Sequence, residues 1–144
     1  MNRSPVSIHA GLFVIMITNI PDNCGNSPRS LLAIEVAVNL ASSEYHKLDP
    51  LLAEDFTWSV AGSDKKILKS ELNSYMNKAN QPDVHIDRFD VLTSISHGKY
   101  AAVSSCAYAS NGCIFNSHDL YEFTSAGGSA KLLKVTSYIV DVKQ

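Results

Sequence analysis

The chain has 144 residues, 45% of them hydrophobic and 18% charged, with a formal net charge of −2. That balance excludes a disordered chain and describes one ordinary globular domain, long enough to bury about two-thirds of its unfolded surface. Twelve Lys and Arg, scattered along the sequence, give no footprint for nucleic acid, and the one basic cluster, Lys65-Lys66 with Lys69, reads as a solvated face at a helix start.

The amino terminus is open to three readings. Met1-Asn2-Arg3 followed by the apolar run Ala10 to Ile17 has the outline of a secretory signal. That run is shorter than the roughly 20 residues needed to span a bilayer, and Thr18-Asn19-Ile20-Pro21-Asp22 offers no small-residue cleavage site. Alternatively translation starts at Met16, or Leu12 to Thr18 forms an extra β-strand, as its β-branched content permits. The organisation expected is an extension over 1–15 and a single domain over 16–144. Cys24, Cys106 and Cys113 make an odd set without metal-site spacing, which suits a reducing compartment, the cytoplasm, and implies no metal or other cofactor.

Ser27-Pro28 marks a helix entry, and Leu31, Ile34, Val38 and Ala41 with Leu32, Val36 and Leu40 carry an apolar stripe to about residue 44. A shorter helix is expected over Lys47 to Ala53, a strand over Phe56 to Val60, a turn at Gly62-Ser63-Asp64 and a third helix over Ile67 to Asn77. Four strands follow: Val84 to Ser96, Tyr100 to Ala109, Ile114 to Thr124 and Leu132 to Val142, separated by His97-Gly98, Ser110-Asn111-Gly112 and the turn Ser125 to Ser129. The class is α+β: a cone-like curved antiparallel sheet with three N-terminal helices packed on its concave face.

Asp119 stands out in this pattern. Side chains alternate along a strand, so Asp119 shares a face with Ser117, Tyr121 and Phe123, and a carboxylate on an apolar face must be solvated, hydrogen-bonded or neutral. It is read either as the polar tip of a pocket or as a carboxyl tied to Tyr121, Ser137 or a backbone amide to organise the core. Cys113 and His118 fall on opposite strand faces and make no catalytic pair, while the histidines show no HxH or HxxxH metal spacing. Arg88 and Asp90 share a face and read as a surface ion pair, with Asp87 turned away.

The segment Leu51 to Trp58, the strand Asp119 to Phe123 and the stretch Lys131 to Val142 together resemble the nuclear transport factor 2-like superfamily, which includes ketosteroid isomerases, SnoaL-like polyketide cyclases and limonene epoxide hydrolases. Ile17 to Pro21 and Cys24 to Pro28 resemble the opening of small bacterial members without a known function. The resemblance covers residues 16–144. It implies a pocket between the concave sheet face and the helices. It also aligns the isomerase general base with Val60 and its helix-borne tyrosine with Val36, neither able to move a proton, and the oxyanion-side acid with Asp119.

From parity and resemblance the pocket is expected to gather Tyr45, Trp58, Val60, Ser117, Tyr121, Val135, Ser137 and Ile139 around Asp119, the candidate catalytic group. The leading reading is a small-molecule-binding protein for an apolar or amphipathic ligand. The alternatives are an isomerase, cyclase or hydratase using Asp119 as acid or base, and a protein-interaction adaptor. Tyr138 and Val140 leave the opposite sheet face apolar, so a homodimer through the sheet is expected, with no nucleic acid and no membrane as partners.

Overall fold

The computed structural model describes residues 8–9, 12–13, 16–22, 24, 26–79 and 84–142, with the side chains of 78–79 and of everything before Met16 outside that description. Most of the proposed 1–15 extension therefore lies outside the described residues. In chain order the elements are β1 (Ile8–His9), β2 (Leu12–Phe13), β3 (Ile17–Asn19), α1 (Pro28–Ala41), α2 (Tyr45–Leu48), a 3₁₀ turn (Asp49–Leu51), β4 (Leu52–Val60), β5 (Lys66–Leu68), α3 (Lys69–Ala79), β6 (Ile86–His97), β7 (Tyr100–Ala109), β8 (Ile114–Phe123) and β9 (Leu132–Asp141). No described helix is long and apolar enough to cross a membrane.

Ser27 starts α1 by accepting the Ser30 backbone N–H at 3.1 Å, and Pro28 follows in the first helical turn, where its missing N–H costs nothing. The helix closes three residues earlier than its apolar stripe suggests. Ser43 adopts φ 57°, and the backbone N–H groups of Ser43 and Glu44 turn back to the carbonyls of Leu40 (3.3 Å) and Asn39 (2.9 Å). This is a left-handed helix end of the kind glycine usually makes.

Two further boundaries differ from expectation. Lys47 to Ala53 is not one helix, because Pro50 permits only a 3₁₀ turn and Leu52 is already extended (φ −91°, ψ 138°), pairing with Leu132 of β9. Leu48 and Leu52 are both buried, so helical and extended geometry satisfy the same pattern locally. Ile67 and Leu68 are strand rather than helix: Lys66 to Leu68 pair with Thr57 to Ser59, and α3 begins after Leu68, whose N–H donates to the Glu71 carboxylate at 3.0 Å, one half of a capping box.

The main sheet has the order β3-β6-β7-β8-β9-β4-β5, while β1 and β2 pair separately. At its borders the sheet is mixed, since β3 joins β6 and β4 joins β9 in parallel. The β6–β9 meander is antiparallel, and the domain is α+β with helices on a curved, open sheet. Curvature has a local cause. Register shifts place an extra residue at Asp87 and another at Leu92 of β6, and each such bulge bends a strand and raises its twist.

Helix α1 packs on β6 and β7, and α3 on β4 and β5. Phe89, Val91, Ala101, Val103, Tyr121, Phe123, Leu132 and Val135 of the sheet meet Ala33, Val36, Ala37, Leu72 and Met76 of the helices in one buried core, with Met16 beside β6. Cys106 is buried, Cys113 exposed and Cys24 intermediate, all three with free thiols.

Candidate functional site

Toward one end the core does not fill. The far end of α1 (Ala37, Leu40, Ala41), α3 (Tyr75, Met76) and the inner faces of β4 and β6–β9 diverge around a cavity of about 430 Å³. Small residues help make the space: Ala107 and Ala109 of β7 and Ala37 and Ala41 of α1 all line it. The remaining wall is apolar and aromatic, formed by Trp58, Phe89, Phe115 and Ile139 among others, with Asp119, Ser105, Ser117 and Ser137 as polar points. The volume lies within the usual range for small-molecule sites.

Asp119 sits half-buried on this wall. Ser117 Oγ donates to its Oδ1 at 3.0 Å, and Tyr121 Oη donates to its Oδ2 at 3.0 Å. Ser137, directly opposite in the β8–β9 register, adds a third hydroxyl. Behind it, Trp58 Nε1–H, which can only donate, gives its proton to Ser137 Oγ at 2.9 Å, taking one of that oxygen's two acceptor positions and leaving the Ser137 hydrogen available to Asp119. Burial pushes the Asp119 carboxyl above the usual carboxylate range, and the hydroxyls of Ser137, Tyr121 and Ser117 pull against that shift. The Tyr121 phenol, fully buried beside the carboxyl, is held well above its ordinary value, first by burial and then by the Asp119 charge.

Of the residues expected at the pocket, Trp58, Ser117, Ser137 and Ile139 line the cavity with Asp119. Tyr121 and Val135 lie beneath it, fully buried in the core, and only the Tyr121 hydroxyl reaches the carboxyl. Val60 pairs with Ser137 but stays out of the lining, and Val36 is enclosed in the core. Tyr45 is elsewhere: its hydroxyl donates to Asp49 at 2.9 Å, and it lines a separate hollow with Glu54 and Lys69.

The lining also includes residues not expected at the site: Tyr75 of α3, Phe115, which shares strand parity with Asp119, and His85, whose Nε2 lies 2.8 Å from Asp87 Oδ1. Parity would have found Phe115. His85 and Tyr75 reach the site only through sheet curvature and helix placement.

Other chemistry stays outside. Arg88 grips Asp90 on the outer sheet face (2.8 and 2.9 Å), Asn19 donates to the same carboxylate at 2.7 Å, and no Asp-Arg-Asp set enters the cavity among the described residues. His118 also faces outward, with Nδ1 2.7 Å from Ser104 Oγ. No group of three or more His, Cys, Asp or Glu among the described residues is placed to hold a metal ion.

Solved structures of similar shape were found. An NTF-2 like protein of unknown function from Burkholderia xenovorans LB400 is 16% identical, with a TM-score of 0.62 over 81% of this chain and 86% of that one. A candidate SnoaL-like polyketide cyclase from Shewanella denitrificans OS-217 is 11% identical, with a TM-score of 0.63 over 79% and 92%. The fold is that of the nuclear transport factor 2-like proteins. An LEH-like epoxide hydrolase from M. tuberculosis shares this nuclear transport factor 2-like fold at 13% identity, with a TM-score of 0.61 over 77% and 82%. No family model and no curated protein matches the chain in sequence.

Proposed function

We propose that the protein binds a small apolar or amphipathic molecule in the cavity beneath α1 and α3, with Asp119 as its polar anchor. The observation that carries this reading is a half-buried carboxyl held by three hydroxyls on the wall of an otherwise apolar hollow. A carboxyl needed only to organise the core would be enclosed by its partners, whereas this one remains open to the space beside it. Three free thiols suit a cytoplasmic setting.

Trp58 is the sole tryptophan and lines the cavity, so it reports occupancy directly. Titration with the uncharged dye 1-aminoanthracene is expected to give saturable dye fluorescence with quenching of Trp58. Ala107→Phe, which fills the hollow from β7, is expected to remove both signals. Uptake that never saturates, or that ignores Ala107→Phe, rules the reading out.

A second reading, acid–base catalysis, is favoured by one observation: Tyr75 and His85 line the same cavity as Asp119 and offer further proton-handling groups. Its test is turnover of an unsaturated cyclic ketone or an epoxide, lost in Asp119→Asn.

We also propose a homodimer through the outer sheet face. Ile95, Leu120, Tyr138 and Val140 are all at least 43% exposed, and the pairing register sets Ile95, Ala102, Leu120 and Thr136 in one row across β6 to β9, with Tyr138 in the next row on the same face. A patch of this kind is commonly covered by a partner, and a second copy carries the matching apolar surface.

A further inference from the structure

We propose that the ligand is an organic cation, a protonated amine on an apolar or aromatic body, whose charge is met by Asp119. This rests on the binding reading above and names the chemical class that the site selects.

The hydrogen bonds around Asp119 are arranged for an ionised carboxylate. Ser117 and Tyr121 both direct hydroxyl hydrogens at it, and Ser137, which already accepts from Trp58, has its own hydrogen to give. A protonated carboxyl would have to turn its own hydrogen toward one of these donors or into the cavity, losing an acceptor position that the three hydroxyls are placed to use. The environment therefore favours a negative charge through short-range contacts while burial opposes it, and a counter-charge at the open side of the carboxyl resolves the conflict.

The protein supplies no such counter-charge from its described cavity lining. Among the described lining residues there is no Lys or Arg. The titratable groups that face the cavity from each surrounding element are Tyr75 of α3, His85 before β6 and Asp119 of β8, with none from the described lining of α1, β4, β7 or β9. His85 is already turned to Asp87 at 2.8 Å, and His118, next to Asp119 in sequence, lies on the outer face. Lys65 rests over the Tyr75 ring, 4.6 Å from its centroid, and is not part of the lining.

Among the aliphatic side chains and small polar groups of the lining stand four aromatic rings, Trp58, Tyr75, Phe89 and Phe115, with Trp58 and Tyr75 packed edge to face at 5.7 Å. Aromatic faces attract cations and are indifferent or repellent to anions. A carboxylate among aromatic rings is complementary to an ammonium group and mismatched to a carboxylic acid or phosphate ester.

The test uses one skeleton with three head groups: 2-naphthylmethylamine, 2-naphthylmethanol and 2-naphthoate, titrated calorimetrically into the full chain near neutral pH. The amine is expected to bind about tenfold or more tighter than the alcohol, a gap typical of one desolvated charge contact, and the naphthoate weakest. Asp119→Asn is expected to bring the amine to the level of the alcohol while leaving the alcohol nearly unchanged. On the unaltered protein, amine affinity is expected to fall as pH is lowered and Asp119 takes up its proton, with alcohol affinity flat. This arm stands even where the Asn variant folds poorly. Equal or tighter binding of the alcohol or the naphthoate overturns the cation proposal and leaves a binding site in place; no binding by any of the three overturns both.

Discussion

The Trp58 indole reaches diagonally across the β4–β9 pairing, past its register partner Val135, to donate to Ser137 at 2.9 Å. A donor-only group thus holds in place a hydroxyl that in turn faces Asp119. Trp58→Phe removes that hold. The loss of one hydrogen bond and of part of the edge-to-face contact with Tyr75 is expected to cost about 1–2 kcal/mol in denaturant unfolding. The Asp119 carboxyl is expected to move further upward in an NMR titration, because Ser137 becomes free to turn away. An unmoved carboxyl titration would separate Trp58 from the site.

Asp119 itself makes stability depend on pH. Its carboxyl is raised in the folded chain, so the folded state keeps a proton that the unfolded state has already released. The stability this group contributes is complete below the unfolded value and is lost as pH rises through the folded one. Asp119→Asn has no such titration. Urea melts across the acid-to-neutral range are expected to show the variant gaining on the wild type as pH rises, and a constant difference would contradict the burial.

Ser43 closes α1 at φ 57° and also lines the cavity. A non-glycine residue in this region costs on the order of 1 kcal/mol. Ser43→Gly is expected to raise stability by about that amount in thermal or denaturant unfolding, with dye uptake retained. Destabilisation instead would mean that the Ser43 side chain carries a contact worth more than the backbone relief.

Leu120→Lys with Val140→Lys places two charges on the outer sheet face, away from the core and the cavity. Light scattering on a sizing column is expected to give twice the chain mass for the wild type and a single chain mass for the double variant. Melting of the isolated chain should be little altered, as surface changes usually fall within about 0.5 kcal/mol. A wild-type monomer refutes the dimer.

How much of this was legible beforehand follows from what each signal can carry. Parity along β8 put Ser117, Asp119 and Tyr121 on one face, and the register with β9 sets Ser137 opposite Asp119. Period-two reasoning works where a strand is regular. It breaks in β6, where the extra residues at Asp87 and Leu92 reverse the alternation, so no local pattern announced that His85 would stand at a cavity rim. Tyr45 was expected at the site on the premise that the first helix continues to it; the turn at Ser43 redirects the chain and carries Tyr45 to Asp49. Leu52 satisfied a helical period and an extended one alike, and its pairing with the distant Leu132 decided between them.

The two borders of the seven-stranded sheet are β3 and β5, each only three residues long, and Lys66 adds a charge to the second. Short charged borders give a passing strand little backbone to zip onto. Lateral growth into ribbons or fibrils is thereby discouraged along both of these borders.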